Sequence, residues 1–167
     1  DFLAKGEADR RIENLPKLLE EAGALAMIGA REKGVRLKFE INPSVDLVLA
    51  DKVQIQQVAL NLIRNAIEAM ENSDTRDLVV GAVPVPDDMA EIYVSDTGHG
   101  IAAEVASQLF QPFMTTKQQG MGVGLSISRT IIEAHGGRIW VESNPTGGTI
   151  FKFTLPVVKP EDLTDDE

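Results

Sequence analysis

Two asparagines, an aspartate and a run of glycines are the residues of this 167-residue chain whose types and spacing could do chemistry together. Asn61 and Asn65 stand four apart, which on a helix puts them on one face. Gln57 and Glu68 extend that polar line. Asn is a poor helix former, because its side chain competes for backbone hydrogen bonds, so two in mid-helix ask for a reason. Their carbonyl oxygens suit Mg²⁺, which takes oxygen ligands, keeps several waters and draws the rest from phosphates. Two solvated asparagines on an exposed face would read the same way. Arg64, just before Asn65, could reach a phosphate or pair with Glu68 one turn on.

Asp96 follows the apolar-polar alternation of Glu91–Ser95, and Thr97-Gly98-His99-Gly100 then forces a turn. Gly98 and Gly100 would let backbone approach a flat ligand. A carboxylate held there can accept from an exocyclic amine such as that of adenine. Guanine would bring a carbonyl to the same place, and an unpaired buried acceptor costs about 1–3 kcal/mol. The alternative is an ordinary Asp-Thr-Gly turn. Thr149, after Gly147-Gly148, could assist a base or simply start a strand. His99 reads as a surface loop residue, His135 as a helix C-terminal cap and Trp140 as packing.

Gly120-Met-Gly-Val-Gly124 opens a helical segment, and free N–H groups at a helix start attract anions. It is not a dinucleotide fingerprint: Leu125 stands where a glycine is needed, and 111–119 does not read as a buried strand. A Gly-x-x-x-x-Gly-Lys-Ser/Thr phosphate loop is absent. Thr115, Thr116 and Lys117 lie in a polar stretch suited to a loop closing over a nucleotide, with Lys117 the cation for the terminal phosphate. Phe110 and Phe113 would pin that lid. Leu125 lines a base pocket or belongs to the core.

The elements that must position these residues can be read from periodicity. Helices are expected over 14–33, 51–72, 102–110 and 123–134, and strands over 35–41, 47–50, 76–83, 90–95, 138–142 and 149–155. Pro84–Asp88 reads as a turn. Tight-turn strand pairs with helices between them indicate an α+β sandwich rather than a doubly wound sheet. Residues 1–13 read as a linker, 14–156 as one domain and 157–167 as an acidic, disordered tail. The net charge of −10 argues against a nucleic-acid partner. It does not argue against ATP, because local dipoles, a cation and a metal decide a phosphate site. No apolar run approaches the ~20 residues of a membrane helix. With no cysteine there is no thiol chemistry, and a cytoplasmic setting is expected.

Taken in order, these segments resemble the catalytic, ATP-binding domain of bacterial sensor histidine kinases, in the gyrase–Hsp90–histidine kinase–MutL superfamily. Asn61-Leu-Ile-Arg-Asn65-Ala66 resembles its N box and Asp96-Thr-Gly-His-Gly100 its G1 box, with His99 where Pro is commoner. Phe110-Gln-Pro-Phe113 with Thr115-Thr116-Lys117 resembles the F box, and Gly120-Met-Gly-Val-Gly124-Leu125 the G2 box. The wording of VQIQQVALNLIRNAIEAM and GMGVGLSISRTIIEAHGG is similar to the FixL-like, oxygen-sensing group.

The resemblance implies a Bergerat-type two-layer sandwich, a mixed sheet of about five or six strands under three or so helices. It implies ATP and Mg²⁺ as ligands, with Asn65 and Asn61 on the metal and Lys117 joining them in catalysis. Arg64, Asp96, Gly98, Gly100, Ile101, Thr116, Gly120, Gly122, Val123, Gly124, Leu125 and Thr149 would hold the nucleotide. Partners would be a dimerisation hairpin carrying the phosphoacceptor histidine and, indirectly, a response regulator, with no membrane contact by this domain. Neither His99 nor His135 sits in a His-Glu/Asp helix of the acceptor kind. Two other readings compete. A hydrolytic ATPase of the superfamily would have Glu at the position of Asn61, and a non-catalytic nucleotide-binding module would share the motifs.

Overall fold

The computed structural model describes residues 9–106, 108–111 and 121–159, of which 121–123 are described by backbone alone. In chain order the elements are β1 (Arg11–Asn14), α1 (Leu15–Ala26), β2 (Arg36–Ile41), β3 (Leu47–Ala50), α2 (Lys52–Ala69), β4 (Asp77–Val85) and β5 (Met89–Ser95). Then follow α3 (Ala103–Ala106), α4 (Met121–Ala134), β6 (Ile139–Ser143) and β7 (Thr149–Pro156). Five strands form one mixed sheet in the order β2-β4-β5-β7-β6, with only β2 and β4 parallel. This is the expected α+β sandwich. β1 and β3 form a separate antiparallel pair.

Apolar periodicity builds the two layers. Along β7, Phe151, Phe153 and Leu155 are buried and alternate with half-exposed residues. They meet Leu15, Leu18, Leu19 and Ala22 of α1 and Ile55, Val58, Leu62 and Ile63 of α2 in one core. α2 touches both α1 and α4, so it is the middle helix of the layer. Its start is fixed by Asp51, whose Oδ1 accepts from the Gln54 N–H at 3.1 Å. No described helix is long and apolar enough to cross a membrane.

Five expectations about the frame change. The helix expected over 102–110 is only Ala103–Ala106, with a turn at 108–110. The first helix stops at Ala26 rather than Lys33: Gly29 and Gly34 both take left-handed φ, and a 3₁₀ turn over Arg31–Lys33 fills the gap. Residues 11–13, read as linker, are strand, because β1 pairs with β3 from Arg11 opposite Ala50 to Asn14 opposite Leu47. The domain also runs past 156: the Val157 N–H donates to Asp88 O, and the Val158 N–H to Leu47 O. Pro84 is in a strand, not a turn. β2 ends opposite Ala82, so beyond it β4 has only β5 beside it, and a missing N–H is tolerated.

Candidate nucleotide site

Asp96 emerges from β5 almost wholly buried, at 1% exposure, and its backbone N–H donates to Thr149 O at 2.9 Å. Its Oδ1 accepts from the Gly98 N–H at 2.8 Å and the Thr149 N–H at 3.2 Å. Both backbone donors go to one oxygen, so among the described residues Oδ2 is the one left to accept. Burial pushes the Asp96 carboxyl above the ordinary range, opposed by the two N–H groups and by His99. The turn before β7 closes over this corner. Gly148 has φ +102, and a Cβ there would fall 2.1 Å from Asp96 O.

The loop after Asp96 is bolted to α2. A Cβ on Gly98 would lie 2.3 Å from Ala69 O, and the His99 N–H donates to that same oxygen at 3.3 Å. Gly98 is therefore needed for contact with the helix end. Gly100 takes φ +79. Thr97 donates to Thr75 O at 2.6 Å and accepts from the Asp77 N–H at 3.1 Å, tying the loop to the start of β4. Ile101 and Thr149 share a cleft of about 230 Å³ with Ala103, Ala106, Val141, Glu142 and Ser143. A wider recess of about 550 Å³ lies elsewhere, between the end of α2 and Lys33, Val35 and Arg76. It touches none of the candidate residues. Arg76 beside it is a loop anchor, donating to Glu71 O, Ser73 O and Lys33 O.

On the other side of α2, Asn61 faces α4. Its Nδ2 donates to Gly124 O at 3.3 Å and lies 3.5 Å from Ser128 Oγ. A Cβ on Gly124 would come within 3.1 Å of that nitrogen. The amide NH₂ thus faces α4, and among the described residues Oδ1 is left to accept. Asn65, one turn along, is half-exposed. Arg64 stands apart: it lines a recess of about 220 Å³ on the α1 side with Ala26, Ile28 and Lys33, and makes no ion pair with Glu68 among the described residues. Gly122 and Val123 fall in the first turn of α4, as a glycine-opened helix requires. Leu125 is fully buried in the core. Phe110 packs edge-on against Phe151, ring centres 6.3 Å apart. Thr115, Thr116, Lys117 and Gly120, with Phe113, lie outside the described residues. Among the described residues no three His, Cys, Asp or Glu gather as a metal cage.

Two contacts across the fold escaped the sequence reading. Asn144 donates from Nδ2 to Asp96 O at 2.8 Å and to Ser95 Oγ at 3.0 Å. An Asn opening a Pro-Thr-Gly-Gly turn reads only as turn chemistry, and nothing local reveals the long reach. His135 is more than a helix cap. It is fully buried, and its Nε2 accepts from the Asp51 N–H at 3.0 Å, across 84 residues.

Comparison with known proteins agrees with this fold. Residues 50–159 match the family described as histidine kinase-, DNA gyrase B-, and HSP90-like ATPase. The chain is 62% identical over 156 residues to the sensor protein FixL of Bradyrhizobium diazoefficiens, covering 93% of this chain and 31% of that protein. It therefore spans about a third of the length of that relative. The catalytic domain of histidine kinase ThkA, solved nucleotide-free, superposes with a TM-score of 0.79 at 36% identity, over 89% of this chain and 96% of that one. Full-length ShkA, solved in complex with AMPPNP, gives 0.80 at 26% identity, over 92% of this chain and 32% of that one. The chain belongs to the histidine kinase-, gyrase B- and HSP90-like ATPase family, as a catalytic domain of the sensor histidine kinase type.

Proposed function

We propose that this domain holds ATP with Mg²⁺ between the Asp96 corner, the asparagine face of α2 and the start of α4, and delivers the γ-phosphoryl to a histidine on a separate domain. The observation that carries the reading is the Asp96 carboxylate: buried, anchored through one oxygen by two backbone N–H groups, with the second oxygen spare. That is the arrangement an adenine amine needs. The AMPPNP bound to ShkA supports the same ligand class.

Asn61 and Asn65 are the residues that would face the metal through their amide oxygens, with phosphate oxygens completing the shell. Mg²⁺ would neutralise charge on the transferring phosphoryl group. Gly120, Gly122, Val123 and Gly124 would offer backbone N–H groups to the phosphates, with Thr116 and Lys117 closing from the lid. Gly100, Ile101 and Thr149 would surround the base, Leu125 would act only through the core, and Arg64 would reach the phosphates only by swinging from the α1 side. The chain's part is positioning and charge stabilisation, not covalent chemistry. The acceptor hairpin and a response regulator would be its partners, in a cytoplasmic kinase of the FixL-like group. Residues before β1 would join the hairpin, and those after Lys159 would form an acidic tail.

The test is transfer. Mixing this domain with a separately made hairpin domain bearing a phosphoacceptor histidine, plus γ-labelled ATP and Mg²⁺, should place acid-labile label on the hairpin. Label appearing only as free phosphate would make the domain an ATPase. No turnover despite ATP binding would leave it a nucleotide-binding module.

A further inference from the structure

α2 and α4 flank the site and run antiparallel: Asn61 meets Gly124 and Ser128, and ten residues back along α2, about 15 Å away, Asp51 meets His135. The second contact is the better hydrogen bond. His135 is fully buried, its Nδ1 lies 2.8 Å from Ile131 O, and its Nε2 lies 3.0 Å from the Asp51 nitrogen. A carbonyl only accepts, so Nδ1 carries the hydrogen. The Asp51 N–H only donates, so Nε2 is bare. The two partners together select one neutral tautomer. A second proton would set N–H against N–H at the junction.

Resting on the nucleotide site read above, we infer that His135 is a positioning residue for nucleotide binding. It bolts the last turn of α4 to the cap of α2, and so fixes Gly124 at the other end of α4 against Asn61. The bolt joins two helix ends that the backbone alone leaves independent. The Asp51 carboxylate is engaged elsewhere, accepting from the Gln54 N–H and the Asp9 N–H. It faces the ring as a charge without bonding it. Arg10, from the segment before β1, is the opposing charge, and burial keeps the ring neutral. A buried histidine that merely fills the core would set stability and leave the affinity of the folded domain alone. A positioning histidine sets both.

Calorimetry of MgATP binding to this domain, held well below its melting temperature, separates these roles. His135→Leu fills the space but strands the Asp51 N–H; His135→Gln restores an acceptor. Leu should weaken binding about tenfold, and Gln should return it to within about threefold of the parent. As pH falls from 6.5 to 4.5, below the ordinary histidine range because burial lowers the His135 pKa, the parent should lose affinity more steeply than His135→Gln, which has no ring to protonate; protonation of ATP and of Asp96 is common to both. Equal affinities for Leu and parent, or parallel pH profiles for Gln and parent, would overturn the inference. If the Leu variant does not fold, the pH comparison decides. A parent that binds no MgATP would sink the nucleotide reading itself, whereas normal parent binding with an indifferent Leu variant would sink only the role of His135.

Discussion

The Asp96 corner and the asparagine face of α2 are built in opposite ways. Around Asp96 nearly every constraint is backbone: two N–H groups on Oδ1, a strand pairing to Thr149, Gly98 pressed against the end of α2 and Gly148 pressed against Asp96 itself. At Asn61 the constraints are one side-chain amide and two long contacts, at 3.3 and 3.5 Å. Backbone ties hold an atom to a few tenths of an ångström, and long side-chain contacts do not. The proposed base end is thus held before any ligand arrives. The proposed metal and phosphate end is held by looser contacts. A flat, uncharged base needs a fixed acceptor, whereas a flexible triphosphate and its hydrated metal tolerate adjustment.

The largest expected effect therefore sits at the rigid corner. Asp96→Asn keeps an oxygen for the Gly98 and Thr149 N–H groups but puts NH₂ where the adenine amine needs an acceptor. ATP affinity should fall about 10- to 100-fold by calorimetry, the range of a lost charged hydrogen bond. Stability should move the other way. Burial raises the Asp96 pKa, so the folded domain holds that proton more tightly than the unfolded chain does. Its stabilising effect is complete below the unfolded pKa and is lost as pH rises through the folded one, leaving an ionised, buried carboxylate at neutral pH. The Asn variant should melt higher than the parent at pH 7, and its advantage should shrink as pH falls toward 4. A variant that loses both affinity and melting temperature at pH 7 would mean Asp96 holds the fold rather than the base.

At the adjustable end, Asn61→Asp exchanges the donor facing Gly124 O for a second acceptor and adds charge beside the triphosphate. Without metal, affinity for ATP should fall about tenfold, and with excess Mg²⁺ only about threefold, because the metal shields the new charge. Titrations in chelator and in magnesium read the two numbers. Equal losses in both would take Asn61 away from the metal.

Much of this was legible in the sequence, and the reason differs by region. The strand pairs, the long middle helix and the cap at Asp51 follow from local periodicity and capping, which one segment can announce by itself. The order of Asn61, Asp96 and Gly120–Gly124 announced the ligand because each group has its own chemistry and spacing. What sequence hid are contacts between distant segments. Gly98 reads as a glycine for a ligand, and its packing on Ala69, 29 positions earlier, is invisible in the sequence. Residues 11–13 are too polar to read as strand until β3 is beside them. Pro84 reads as a turn until β2 is seen to end early. His135 looks like an end cap until its other nitrogen finds Asp51.

Asn144 is the hidden residue that best separates a formed corner from an adjustable one. Its Nδ2 holds Asp96 O and Ser95 Oγ, and its Oδ1 accepts from the Thr146 N–H and hydroxyl. Asn144→Ala removes these bonds together and should lower stability by about 1–2 kcal/mol, read by denaturant melts. Affinity should respond far less. The Asp96 N–H still donates to Thr149 O, and Oδ1 still has both of its donors, so the carboxylate loses little of its aim. A drop in ATP affinity of about threefold or less is expected. A loss as large as that of Asp96→Asn would mean that the backbone ties do not suffice. Asn144 would then hold the carboxylate in place, and the base end would be as dependent on one side chain as the metal end is on Asn61.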